Sequence, residues 1–247
     1  MLCKKCGTGN QEDSKFCKDC GSRMEKSIEG YIASALMYRR RGGPSSLGLA
    51  VIEMDEALKL DPEDAEANYF MGKFMYDGGF VEDAIEFYDK ALKSEPKWAD
   101  AYFAKGMAYY RMCSIDKAIE TFEKVIEINP EYVGAYYFAG ITYYHKGRMG
   151  KAIENFKEVV RRDPKYAVAY YHLGRSYTKK NLMKEAIKAF ESVIAINPTD
   201  ADTFFHLGFS YAKSGMTDKA IKTLEKAVDL DPNDENSRRL LMELMMM

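Results

Sequence analysis

The chain has 247 residues, enough for one or two globular domains. Its 36 Lys and Arg nearly balance 38 Asp and Glu, and a net charge of −2 gives no global pull toward nucleic acid or an anionic membrane. No run of 18 apolar residues occurs and the opening MLCKKCG lacks an apolar leader, so neither a membrane span nor a secretory signal is expected, and a reducing cytoplasm is the expected setting.

In chain order, the first element is MLCKKCGTGNQEDSKFCKDCG. Two Cys-x-x-Cys-Gly hooks, Cys3/Cys6 and Cys17/Cys20, stand ten residues apart. Paired hooks of this kind are a strong zinc signal, since four thiolates close the tetrahedral sphere of a structural ion. A catalytic zinc would leave one position open to water. Two disulfides would need an oxidising compartment. Redox chemistry is disfavoured because the two hooks match each other and no βαβ pattern surrounds them. Gly7 and Gly21 follow the second Cys of each hook, where a residue without Cβ lets the backbone turn tightly. Phe16 is expected to pack between the knuckles. The stretch resembles the small zinc ribbons that begin many prokaryotic proteins. A piece this short cannot bury a core, so one structural zinc on Cys3, Cys6, Cys17 and Cys20 would supply its folding energy, on the order of 10 kcal/mol or more. Ser22 and Glu25 have the spacing of a capping box, which predicts a helix starting directly afterwards. The fifth cysteine, Cys113, has no accompanying His and Asn pattern and is read as a small apolar filler.

From there a period takes over. Pro62, Pro96, Pro130, Pro164, Pro198 and Pro232 are each 34 residues apart. Gly72, Gly106, Gly140, Gly174 and Gly208 keep the same spacing, as do Ala84, Ala118, Ala152, Ala186 and Ala220. Tyr88, Phe122, Phe156, Phe190 and Leu224 form a fourth column. A fixed period of this size denotes a repeat architecture. Segments such as DKAIETFEKVIEI are apolar at helical spacing, the Gly and Ala columns permit close helix approach, and Asp-Pro or Asn-Pro ends the second helix of each unit. One helix pair cannot bury its apolar face alone, so neighbours must stack.

The unit AYYHLGRSYTKKNLMKEAIKAFESVIAINP resembles the tetratricopeptide repeat through Tyr170, Leu173, Gly174, Tyr177, Ala186, Phe190 and Pro198. The resemblance implies an all-α fold, a right-handed superhelix of helix-turn-helix units. Five full repeats span 65–98, 99–132, 133–166, 167–200 and 201–234, together 65–234. The zinc ribbon at 1–24 precedes them, followed by a degenerate repeat over 25–64 that keeps Ala50, Met54, Ala57 and Pro62 in phase but has Tyr38 in the Gly column. Residues 235–247 read as a C-terminal capping helix.

In the family, the first helix of each repeat lines a concave groove. The resemblance therefore places Tyr69, Phe103, Tyr137, Tyr171 and Phe205 there, with Tyr76, Tyr110 and Tyr144, and with Lys73, Arg111 and Arg175 on a basic edge. Aromatic rings give large contact area with few rotors, which suits a peptide or protein segment. The alternative is that some of these rings are inter-repeat core. The Lys and Asn clamp of chaperone-binding members is not matched: Tyr69, Lys73, Ala104, Gly134 and Phe138 stand in its positions. His172 and His206 share a column and read as surface or groove residues.

The expected function is a non-catalytic, cytoplasmic protein-binding scaffold or adaptor, not an enzyme, since no P-loop, GxGxxG or HExxH is present. The alternative is a nucleic-acid-associated regulator that uses Lys4, Lys5, Lys15, Lys18 and Arg23 of the ribbon, diluted by Glu12, Asp13 and Asp19. The ending LLMELMMM leaves Met242, Met245, Met246 and Met247 with little to pack against, so this end is expected to join a second copy, as a homodimer, or another protein, the alternative being a frayed tail.

Overall fold

A computed structural model describes residues 5–11, 14, 16–22, 26–43 and 45–246. Among them are thirteen helices and no extended strand; Gly9 and Phe16 carry isolated bridge pairing. The chain divides into two compact units, Met1–Ser114 and Ile115–Met247. The first holds α1 (Ile28–Arg41), α2 (Ser46–Leu60), α3 (Ala65–Gly78), α4 (Val81–Ser94) and α5 (Ala99–Arg111). The second holds α6 (Ile115–Ile128), α7 (Val133–His145), α8 (Met149–Arg162), α9 (Ala167–Lys179), α10 (Met183–Ile196), α11 (Ala201–Lys213), α12 (Thr217–Leu230) and α13 (Glu235–Met245).

The first helix starts later than the capping-box reading placed it. Ser22 is not helical, Glu25 lies outside the described residues, and the cap is Ser27, whose Oγ accepts from the Gly30 amide at 3.2 Å. A serine at this point satisfies one of the amides that a helix start leaves orphaned.

The proline columns act as expected. Asp61, Asp163, Asn197 and Asp231, each before a proline, are extended with φ between −128° and −144°, and Glu95 before Pro96 is likewise non-helical at −124°. Most of these side chains then fold back onto the turn. Asp61, Asp163 and Asp231 accept from the amide two residues on, at 2.9, 3.0 and 3.0 Å.

The other end of each pair holds a column that the sequence reading did not pick out. Gly79, Cys113, Gly147, Asn181 and Gly215 close the turns after α3, α5, α7, α9 and α11, and all have positive φ, from 56° to 89°. The same two bonds recur at each: the Cys113 amide donates to the Tyr110 carbonyl at 3.0 Å and the Ser114 amide to Tyr109 at 2.9 Å, as Gly147 and Arg148 do to Tyr144 and Tyr143. Cys113 is therefore not an apolar filler. It is exposed, and it stands in a left-handed turn position where a side chain costs about 1–2 kcal/mol. Cys113→Gly is expected to raise stability, by up to about 1 kcal/mol once the freedom of glycine in the unfolded chain is subtracted. Urea unfolding checks this; a loss of stability would refute it.

In the second unit the core is a stack of identical contacts. Phe156, Phe190 and Leu224 are fully buried, with Ala152, Ala186 and Ala220 beside them in sequence phase. Each large residue fills the space over a glycine of the preceding helix. A Cβ on Gly140, Gly174 or Gly208 would come 2.7, 2.6 and 2.7 Å from Phe156, Phe190 and Leu224. In the first unit Gly72 stands in the same relation to Tyr88. Where Tyr38 occupies the glycine column, the opposing residue is Met54, and both join one apolar cluster with Ile32, Ala35 and Phe74. A flexible thioether accommodates the ring that a rigid Tyr or Phe could not.

Candidate functional site

At the N-terminal hooks, the Sγ atoms of Cys6, Cys17 and Cys20 lie within 4.8 Å of one another, with Cys6 and Cys17 at 3.5 Å. Sulfurs around a tetrahedral zinc at 2.3 Å stand about 3.8 Å apart, so these three fit the ion's size and its preference for thiolates. Cys3 lies outside the described residues. The surrounding bonds hold the hooks in place. Asn10 accepts from the Lys18 amide at 2.8 Å and donates both to the Thr8 carbonyl at 2.8 Å and to Cys17 Sγ at 3.6 Å. The Gly21 amide donates to the Cys17 carbonyl at 2.9 Å. Gly7 and Gly21 have φ of +74° and +64°, the turn conformation that glycine supplies most cheaply. Phe16 does not pack between the hooks: it is 62% exposed. The described cysteines form no disulfide.

The second candidate is the face carried by the first helix of each pair. In the first unit Tyr69 and Tyr76 on α3 and Phe103 and Tyr110 on α5 are half-buried, and Lys73 and Arg111 are exposed. Lys73 Nζ lies over the Tyr69 ring at 5.5 Å. Arg111 lies over Tyr76 at 5.0 Å and donates to its carbonyl at 2.8 Å. Tyr69 also contacts the Trp98 ring in a tilted arrangement, centroids 4.5 Å apart, and burial raises its phenol pKa.

In the second unit Tyr137 and Tyr144 on α7, Tyr171 and Arg175 on α9 and Phe205 on α11 are all half-buried. Tyr137 contacts the rings of Phe156, Tyr166 and His172. Tyr171 contacts Phe190 and His206, and its hydroxyl donates to Asp202 at 2.5 Å. These two rings therefore join helix pairs together as well as facing outward. Tyr144 differs. Arg175 lies over it at 5.6 Å and Lys179 at 4.5 Å, and its buried hydroxyl has no hydrogen-bond partner among the described residues.

Four tetratricopeptide-repeat family models match the sequence, over residues 49–102, 99–132, 140–181 and 182–244. The chain belongs to the tetratricopeptide repeat family. Its matches begin inside α2, which leaves α1 outside them. Solved structures agree on the fold. YrrB, described as a TPR protein with an unusual peptide-binding site, is 24% identical with a TM-score of 0.70, covering 76% of this chain and 96% of its own. A MamA structure is 27% identical with a TM-score of 0.64, over 66% of this chain and 95% of that one. MamA from Desulfovibrio magneticus RS-1 is 21% identical with a TM-score of 0.65, over 69% and 97%. No curated protein matches. Among the described residues no helix is long and apolar enough to cross a membrane.

The repeat frame also relocates the two histidines. His172 stacks on Phe156 and His206 on Phe190, centroids 5.6 Å apart and rings within 17° and 11° of parallel. Phe138 stands in the same column and stacks on Phe122 at 5.9 Å. The imidazoles are thus inter-repeat packing groups that substitute for phenylalanine, rather than surface residues. Burial, then the charge of Arg175 and of His145, lowers His172 to about 4. Burial lowers His206 as well, opposed by Asp202. A histidine kept neutral when folded binds protons more readily when unfolded, so stability is present above the ordinary value near 6.5 and is lost as pH falls toward 4. Discounted for partial exposure, His172 is expected to remove roughly 1–2 kcal/mol between pH 7 and pH 4.5, and His206 acts in the same direction. His172→Phe should shrink that difference in urea midpoints; an unchanged pH dependence would exclude the imidazole as its source.

Proposed function

We propose that this tetratricopeptide repeat protein is a non-catalytic scaffold that binds a peptide or protein segment on the face of its first helices, with a structural zinc ribbon in front. The observation that carries the reading is the set of outward, half-buried tyrosines with cations lying over them: Tyr69 with Lys73, Tyr76 with Arg111, and Tyr144 with Arg175 and Lys179. Rings left partly open in water, each beside a cation, favour a ligand that offers both apolar surface and hydrogen-bond acceptors. On this reading the chain comprises a ribbon at 1–24, a degenerate repeat at 25–64, five repeats over 65–234 and a capping helix at 235–247, in the cytoplasm. Cys3 completes the zinc ligand set with Cys6, Cys17 and Cys20.

The test is capture of binding peptides by the full chain, comparing wild type with Tyr76→Ala and Tyr144→Ala. Loss of capture with helix content retained supports the face; capture that survives both changes removes it. The exposed Met242, Met245 and Met246 on and after α13 favour a second copy of the chain as a further partner. Sedimentation of the full chain against a chain ending at Glu243 checks this, and equal monomeric masses would exclude it.

A further inference from the structure

The charges of the second unit are segregated by helix. The four second helices, α6, α8, α10 and α12, carry eleven acidic and eleven basic residues, an even mixture. The first helices α7, α9 and α11 carry Arg175, Lys179 and Lys213 against a single acid, Asp202. That acid is already engaged, accepting from Tyr171 and lying 3.8 Å from His206. Some cations elsewhere in the unit have carboxylate partners: Lys146 meets Asp116, Arg162 meets Glu158, and Lys124 meets Glu127. Arg175 and Lys179 form no ion pair among the described residues, yet both lie over one ring, that of Tyr144. Arg175 also lies over the Tyr171 ring at 5.6 Å, but two like charges held against the Tyr144 ring repel each other, and among the described residues neither has a carboxylate at ion-pair distance.

Resting on the scaffold reading above, we infer that the face of α7, α9 and α11 takes an acidic segment of a partner protein, one carboxylate of which bridges Arg175 and Lys179 above Tyr144. A carboxylate there replaces repulsion by two charge-assisted hydrogen bonds, and the fork of Arg175 can grip both of its oxygens. Lys213, over the Phe209 ring at the end of α11, extends the positive side of the same face. On the same helix as the two cations, α9, Val168 is exposed and the Tyr171 ring half-buried. A ligand alternating acids with apolar side chains fits such a surface. A nucleic-acid backbone fits less well: it gains affinity from many phosphate contacts, and three Lys and Arg beside an aspartate offer few.

The experiment is selection of random twelve-residue peptides displayed against the full chain, followed by fluorescence anisotropy of the enriched peptides. The expected result is enrichment in Asp and Glu, with affinity falling roughly tenfold in the Arg175→Gln, Lys179→Gln double variant and falling steeply with salt. Lys179 is exposed and Arg175 half-buried, and neither forms an ion pair among the described residues, so helix content should stay at the wild-type value. Enriched peptides that lack acids, or that bind the double variant equally well, overturn the acidic-segment inference and leave the scaffold reading in place. No peptide enriched by the wild-type chain overturns both. A labelled single-stranded oligonucleotide that binds more tightly than the selected peptides, and loses affinity in the double variant, assigns the face to nucleic acid and overturns the inference.

Discussion

Replacing Phe190 by alanine is expected to destabilise the second unit by about 3–5 kcal/mol, read from urea unfolding followed by circular dichroism. The ring is fully buried. It lies over Gly174, Tyr171 meets its edge, and His206 stacks on it from the next helix pair. Its loss therefore empties a cavity bordered by three helices rather than one. The glycine beneath it gives a sharper check. Gly174→Ala alone gains about 1 kcal/mol of helix propensity. Its Cβ would nevertheless come 2.6 Å from the Phe190 ring, and overpacking of that kind costs about 1–3 kcal/mol, so a net loss is expected. In the double variant the new methyl enters the space the ring has left. The combined effect should thus be smaller than the sum of the two, a coupling that a double-mutant cycle measures directly. Additive losses would mean that the two residues do not touch.

Replacing Cys17 by serine is expected to abolish stoichiometric metal binding. The thiol sits centrally in its cluster, 3.5 Å from the Cys6 sulfur and within 4.8 Å of the Cys20 sulfur. Zinc binding in such small sites is also the folding energy, so the hooks should lose protection from proteolysis together with the ion. The helices have their own apolar core, beginning with Ile32 and Ala35, and their circular dichroism should hardly change. Metal analysis of the reduced full chain decides the matter. About one zinc per wild-type chain and none in Cys17→Ser is the expected pair of values, and a metal-free wild type would end the assignment.

The helix pairs were legible because their determinants are local and repeat. A proline every 34 residues fixes where the second helices stop, and small residues opposite large ones fix where helices touch. The left-handed column was harder to see because it mixes residue types. Gly79, Gly147 and Gly215 alone suggest it, but Cys113 and Asn181 break the identity while keeping the backbone conformation. The start of α1 differs from the expected one because Ser22 matches the capping pattern, whereas Ser27 has no glutamate at the matching position and caps the helix nonetheless. The two histidines were misplaced for a different reason. A polar label suggests a solvated side chain, but stacking on Phe156 and Phe190 depends on which ring faces which, and only three-dimensional packing decides that. The charge contrast between first and second helices was present in the sequence, but it becomes meaningful only once the helices are assigned to faces.

The stack of His172 on Phe156 and His206 on Phe190 makes the joints of the second unit interchangeable. A chain lacking residues 167–200 would bring His206 to Phe156 and so restore the imidazole-over-phenyl seat that His172 gave up, with Gly208 and Leu224 keeping their own contact. Length is then a quantity this architecture can lose or gain in whole modules without renegotiating its interior. Such a shortened chain would fold but would lack Arg175 and Lys179. Recognition and foldability are thus written on separable parts of the same module, and duplication or deletion can alter what the protein holds while leaving how it stands untouched.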